Sequence, residues 1–270
     1  MSFPYLSAEL ARRLENCDTN FIRLRLEVLA RLEDNPFGAE VRPFGDATGL
    51  TISSMAGNAL FNRVAEFTPA ELDRLDEIVA WFEERKIGGR FDLLPGHVSP
   101  ELFKALAVKG FYQSGFYAVL YGEPQTGGPE FPGVSVREAQ PDELSVYGDI
   151  YMTGFGFPEE RREALVSSMT GLYGHPAVRL YLGLVDGTPA GIGFLLLNKG
   201  VGYLGTATTL AQFRGRGVQK ALMYRRMADA ARHGCDLVTS HTQYASLSQT
   251  NMERVGLRLA YTKAVWTRLS

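Results

Sequence analysis

Gln212, Arg214, Gly215, Arg216, Gly217 and Lys220 stand together in the stretch AQFRGRGVQKAL, residues 211 to 222. Two glycines and three cations precede a run with helical spacing. The first four amides of a helix have no partner inside it, and the summed peptide dipoles leave that end positive. Where no side chain caps those amides, an anion can take the place. Glycines at 215 and 217 remove side-chain bulk, so a phosphate can reach the backbone. The pattern therefore suggests a pyrophosphate seat rather than a bare turn. A P-loop needs Gly-Lys-Ser/Thr, which is absent. A dinucleotide fingerprint needs a third glycine where Lys220 stands, and its ribose-binding acid should end the next strand, whereas Asp236 begins that strand.

Other chemistries find little support. The four histidines, His97, His175, His233 and His241, share no metal-ligand spacing, so no metal site is expected. There is no Gly-x-Ser-x-Gly elbow for a serine hydrolase. Cys17 and Cys235 read as two structural thiols in a reducing cytosol. The chain has 270 residues and a net charge of −2, so a nucleic-acid surface built from Arg214, Arg216, Arg225 and Arg226 is the weaker reading. The start, MSFPYLSAELARR, lacks a signal-peptide pattern, and no apolar run is long enough to span a bilayer. The protein is expected to be cytoplasmic.

The elements that must position the loop follow from periodicity. Residues 122–133, GEPQTGGPEFPG, read as a linker between residues 1–121 and 134–270. After it, VSVREA is a short strand, and PDELSVYGDIYMTGF and PEERREALVSSM are helices. VRLYLGLV and AGIGFLLL are strands joined by the hairpin signal Asp186-Gly187. GYLGTATTL is one more strand, leading into the loop. The helix VQKALMYRRMADAARHG, the strand DLVTSH, the helix SLSQTNMERVG and the strand LRLAYTKAVWTRL complete the half. At an offset of 146 residues, aligning Gly110 with Gly256, the first half repeats this helix–strand–helix–strand order without a gap. The copies differ at the loop. QFRGRG aligns with EFTPAE, where Thr68-Pro69 is an ordinary helix start: a side-chain cap and a proline at the first position.

With this order of elements around it, Gln212-x-x-Gly215-x-Gly217 resembles the acetyl-CoA loop of the GCN5-related N-acetyltransferases, whose motif is Gln/Arg-x-x-Gly-x-Gly/Ala. The resemblance implies an α/β fold of two such units, each a mixed, mostly antiparallel sheet flanked by helices. Residues 134–270 look complete and residues 1–121 degenerate, as in tandem members. It implies transfer of an acetyl group from acetyl-CoA to a small-molecule or peptide amine. Thr208, Thr209 and Leu210 would pair with the pantetheine arm, in a cleft where GYLGTATTL and DLVTSH splay apart. Gln212 and the amides of Arg214, Gly215, Arg216, Gly217, Val218 and Gln219 would hold the pyrophosphate, with Ser248 and Asn251 offered by the last helix. An amide near Thr209 or Leu210 would stabilise the oxyanion.

The sequence departs from the family in its proton chemistry. GYLGTATTL has no acid to serve as base, and Met252 stands where many members carry a tyrosine. His241 and Tyr244, at the end of DLVTSH, are the substitute candidates. The plainer alternatives are a strand-end histidine bonded to backbone and a packed ring with a wet hydroxyl. An acyl-CoA-binding sensor or scaffold without catalysis is the alternative function. On the acceptor side, Glu159, Glu160 and Glu163 could attract a cationic amine or simply satisfy a helix dipole. Phe155 and Phe157 could line a pocket or staple into the core.

Overall fold

Turn chemistry sets the element order. The computed structural model describes residues 4 to 268. In chain order the elements are α1 (Ala8–Ala30), β1 (Ala39–Phe44), β2 (Ala47–Ile52), β3 (Arg63–Ala65), α2 (Leu75–Glu84), β4 (Arg90–Leu93), α3 (Pro100–Val108), β5 (Phe111–Gly122), β6 (Val134–Glu138), α4 (Leu144–Phe155), α5 (Arg162–Thr170), β7 (Val178–Val185), β8 (Thr188–Asn198), β9 (Val201–Tyr203), β10 (Ala207–Thr209), α6 (Val218–Arg232), β11 (Leu237–Gln243), α7 (Leu247–Arg254) and β12 (Arg258–Arg268). Leu269, the last residue of the expected final strand, lies outside the described residues. No helix among the described residues is long and apolar enough to cross a membrane. The fold is α/β, with a mixed, mostly antiparallel sheet flanked by helices.

The chain forms two compact units that interleave in sequence. The first takes Pro4–Val119, Thr242–Ala245 and the chain from Ala260; the second takes Leu120–His241 and Ser246–Leu259. The units therefore do not part at residues 122–133, which fold with the second. The pairing order repeats. In the first unit β1-β2-β3 are antiparallel and β3-β4 parallel; in the second β7-β8-β9 are antiparallel and β9-β11 parallel. In the first unit β12, from the end of the chain, lies between β4 and β5. The helix–strand–helix–strand repeat at offset 146 thus appears as α2-β4-α3-β5 and α6-β11-α7-β12.

The first unit is built around aromatic rings: Phe44, Phe67, Trp81, Phe82, Phe91 and Phe111 share one cluster. Its α2 is led in by a capping box, with Thr68 bonded to Ala70 N and Glu71 reaching back to the Thr68 amide at 3.0 Å. Beside the core lies a buried charge network. Lys263 Nζ donates to Glu15 at 2.7 Å and Asp18 at 3.0 Å and stands 3.2 Å from Asp92. Arg63 bridges Asp18 at 2.7 Å and Asp92 at 2.8 Å, and Arg90 also binds Asp92. Three carboxylates face three cations, so the network is neutral. Burial alone would raise the Asp92 carboxyl, but Lys263, Arg90 and Arg63 hold it well below the usual carboxylate range.

The second unit has helices on both faces. β8 is buried on both sides through Ala190–Leu196, which is why AGIGFLLL reads as a continuous apolar run. The β7–β8 hairpin turns through Asp186 at φ +48° and Gly187 at φ +80°, the two positive values its turn type needs.

Removing one member of the buried network leaves uncompensated charge. Lys263→Met is expected to destabilise the protein by about 3–5 kcal/mol, read by urea denaturation. Because the folded Asp92 carboxyl is depressed, its contribution is present above about pH 3.9 and lost as pH falls below it. The wild-type urea midpoint should therefore drop from pH 5 to pH 3.

Candidate active site

The site is set by how closely α6 sits on the sheet. Val218, Leu222, Arg226 and Ala230 form one i, i+4 row along the helix. Each meets a strand glycine. A Cβ at Gly183 would lie 2.8 Å from Val218, at Gly193 3.1 Å from Arg226 and 3.3 Å from Leu222, and at Gly202 2.6 Å from Ala230. Val218 also crowds Gly191 at 3.0 Å. Glycine in a strand interior marks such close backbone approach.

The expected strand GYLGTATTL is broken. β9 pairs parallel with β11, Val201 to Tyr203 against Leu237 to Thr239. β10 pairs antiparallel with β8, Thr208 opposite Ile192. Residues 204 to 206 bridge the gap. Leu204 O accepts the Ser240 hydroxyl at 2.8 Å, and Gly205 O accepts Arg226 Nη1 at 2.9 Å. Beyond Tyr203 and Thr239, no pairing of β10 with β11 occurs among the described residues, so the strands separate as the cleft requires.

One reading of this strand needs correction. Leu210 N donates to Ala190 O at 2.9 Å, so it is not an oxyanion donor. Antiparallel ladders alternate, so with Thr208 and Leu210 turned to β8, the backbone of Thr209 turns outward. Arg214 Nε already reaches the Thr209 carbonyl at 3.4 Å. Of the nearby cations, Arg226 is 2% exposed, and Arg225 is held by Asp229 at 2.8 Å and by Val136 O at 3.0 Å.

The α6 N-terminus is open, as its glycines suggest. Gly217 is the N-cap at φ +90°, with no side-chain cap bond. Nothing lies within 4 Å of the place a Gly215 Cβ would take. Among the described residues, no backbone carbonyl takes the amides of Gly215, Arg216 or Gly217. Free amides, a helix dipole and Arg214 and Lys220 are a donor set suited to a pyrophosphate. Gly217 has a different reason to be glycine. A Cβ there would come within 2.3 Å of the Phe131 ring. The Gly/Pro-rich segment is thus no loose linker: Phe131 covers Gly217, Gly128 packs against Tyr224, and Gln125 Nε2 donates to Val255 O at 2.8 Å. Arg216 is drawn to Asp186 at 3.2 Å.

The remaining candidates distribute as follows. Gln212 is exposed on a short 3-10 turn. Gln219 and Asn251 bond to each other at 2.7 Å, linking α6 to α7, and Ser248 is half-buried on α7. His241 is half-buried where β11 leaves β9, with its ring edge-on to Tyr203 at 5.5 Å. Tyr203 was not singled out by the sequence; its position at the strand break is its only signal. Tyr244 is 55% exposed and groups with the first unit. On α4, Gly154 lies against the Thr208 side chain, which a Cβ would meet at 2.4 Å. Phe155 and Phe157 stack at 5.5 Å, and Tyr151 meets both edge-on. Glu159 is taken by Arg162, whereas Glu160 and Glu163 are exposed.

The Phe131 contact is testable. Gly217→Ala combines left-handed strain of about 1–2 kcal/mol with the ring clash. Adding Phe131→Ala should remove the clash portion, so the double variant is expected to be more stable than additivity predicts, measured by thermal unfolding in a double-mutant cycle.

Comparison with known proteins agrees with this geometry. Residues 137–246 match the family model described as an acetyltransferase (GNAT) domain. Among curated proteins none matches. A GCN5-related N-acetyltransferase from Kribbella flavida is similar in structure, with a TM-score of 0.66 and 18% identity over 94% of this chain and 96% of that one. A tandem GNAT protein from the clavulanic acid biosynthesis pathway has a TM-score of 0.60 and 14% identity, covering 93% and 94%. A GCN5-related N-acetyltransferase from Sphaerobacter thermophilus has a TM-score of 0.59 and 15% identity, covering 76% and 72%. Residues 137–246 are thus similar to GNAT acetyltransferase domains, and the chain as a whole shares its fold with GCN5-related N-acetyltransferases, a tandem GNAT protein among them.

Proposed function

We propose that the protein transfers an acetyl group from acetyl-CoA to a small-molecule amine in the cytoplasm, with the second unit as its catalytic half. The observation that carries this reading is the contrast between two equivalent helices. α2 is led in by the Thr68–Glu71 capping box, whereas α6 opens on Gly217 with no side-chain cap. Only the second leaves amides for an anion. The first unit then serves as a scaffold.

Bound acetyl-CoA supplies the acyl group as a thioester. The amides of Gly215 through Gln219 hold its pyrophosphate, with Arg214 and Lys220 adding charge. Arg214 leaves the Thr209 carbonyl when that carbonyl pairs with the pantetheine arm. Acyl transfer makes a carbon–nitrogen bond and breaks a carbon–sulfur bond; the amine loses a proton and the departing thiolate takes one from solvent water. β9 and β10 carry no acid, so His241 at the strand separation takes the amine proton. The stacked Phe155 and Phe157, beside β10 across Gly154, form the shelf on which the acceptor rests. Exposed Glu160 and Glu163 favour an acceptor that arrives as a cation.

The test is CoA release with a panel of amines against a no-amine control. Tight acetyl-CoA binding without amine-dependent release would instead mark an acyl-CoA sensor. Gly215→Val is expected to abolish acetyl-CoA binding in calorimetry while the protein remains folded. His241→Ala should lower the rate on a good amine by about 10²-fold, the usual scale for one general base, without changing acetyl-CoA affinity. Phe155→Ala should raise the amine KM several-fold with kcat nearly unchanged, the signature of lost uniform binding.

A further inference from the structure

Arg226 is a cation in the wrong place for ordinary stability. It is 2% exposed, and among the described residues it has no carboxylate partner. Its bonds go to carbonyls: Nε to Leu222 O at 3.0 Å, and Nη1 to Phe194 O at 3.1 Å and Gly205 O at 2.9 Å. Burial lowers its pKa to about 10, so it stays charged at neutral pH. Burying a charge without a counter-ion costs several kcal/mol, and an apolar residue in the same row would seat α6 on Gly193 without that penalty.

What the charge acquires is one peptide group. Gly205 O lies in the gap between β9 and β10, where strand pairing has stopped. No peptide among the described residues is cis, so in the Gly205–Thr206 unit the Thr206 N–H points opposite to the carbonyl that Arg226 grips. It therefore points away from α6. Thr206 is half-buried, and among the described residues its amide has no acceptor. A hydrogen bond from a cation to the carbonyl polarises the unit and strengthens its N–H as a donor. Ser240 fixes the preceding Leu204 carbonyl at 2.8 Å, so the gap is anchored from two sides.

We propose that Arg226 is a positioning residue for the acyl transfer: it holds and polarises the Gly205–Thr206 peptide so that the Thr206 amide donates to the acyl oxygen as negative charge develops there. This rests on the acetyl-CoA reading above. It replaces Leu210, whose amide is spent on Ala190, and it gives the buried charge a function in the reaction.

Two arms test it. In wild-type protein labelled with 15N, the Thr206 amide proton should move downfield with acetyl-CoA but not with CoA, which has no acyl oxygen. Equal shifts with both would overturn the proposal, whatever any variant does. In the second arm, Arg226→Met and Arg226→Lys are compared for acetyl-CoA affinity, kcat, and the carbonyl stretch of bound 13C-acetyl-CoA. Removing one oxyanion donor costs about 10²–10³ in kcat, so weakening it should cost Arg226→Met about 10–10²-fold. Acetyl-CoA affinity should stay within about threefold, the carbonyl stretch should rise towards its value in water, and lysine should recover part of the loss. A loss of kcat matched by loss of acetyl-CoA affinity, with the stretch unchanged, would make Arg226 purely structural. Should wild type bind no acetyl-CoA, the function proposed above fails first; should it bind without turning over any amine, the amide shift still decides.

Discussion

The close seating of α6 on Gly183, Gly191, Gly193 and Gly202 is the constraint from which the site follows. A Cβ at Gly183 or Gly202 would meet Val218 or Ala230 at 2.8 or 2.6 Å, and one at Gly191 the Thr208 carbonyl at 2.7 Å, so something would have to shift. Interiors are packed too densely to absorb that without rearrangement. With the helix down, Val218 presses against the ends of β7 and β8, which places the uncapped N-terminus beside β10. Eight residues on, Arg226 reaches the carbonyls of β8 and of the β9–β10 gap. One row of contacts thus positions the uncapped helix start and the strand break together.

The two units apply the same topology to different ends. In the first, a capping box satisfies the lead-in to α2, and three carboxylates neutralise three cations in the interior. In the second, the loop amides of Gly215 to Gly217 have no backbone acceptor among the described residues, and a buried arginine is spent on carbonyls. Unsatisfied donors are costly in a folded protein and persist where a ligand completes them.

Much of this was legible in the sequence because it rests on local rules. Asp186-Gly187 specified its hairpin, Thr68-Pro69 its helix start, and the offset of 146 residues survived as matching elements. The uncapped start of α6 was legible from its glycines, but the steric reason for Gly217 was not. Its steric partner, Phe131, lies 86 residues away in a segment whose Gly/Pro content reads as linker. The break in GYLGTATTL left only Gly205 as a signal, since the apolar alternation runs on through it. Arg226 reads as a surface cation until its helix row is matched to the strand glycines, which are the signal that could have found it. The placement of β12 between β4 and β5 is beyond sequence reading, because β5 and β12 are copies of one strand and carry the same pattern.

The central claim is that α6, and not its capped counterpart α2, carries the cofactor. Calorimetric titration of the full chain with acetyl-CoA tests it most directly through the stoichiometry. The account predicts one molecule per chain at saturation. Two molecules per chain would mean that the Thr68–Glu71 cap does not close the first unit to the cofactor, and no binding would mean that the open amides of α6 serve something else.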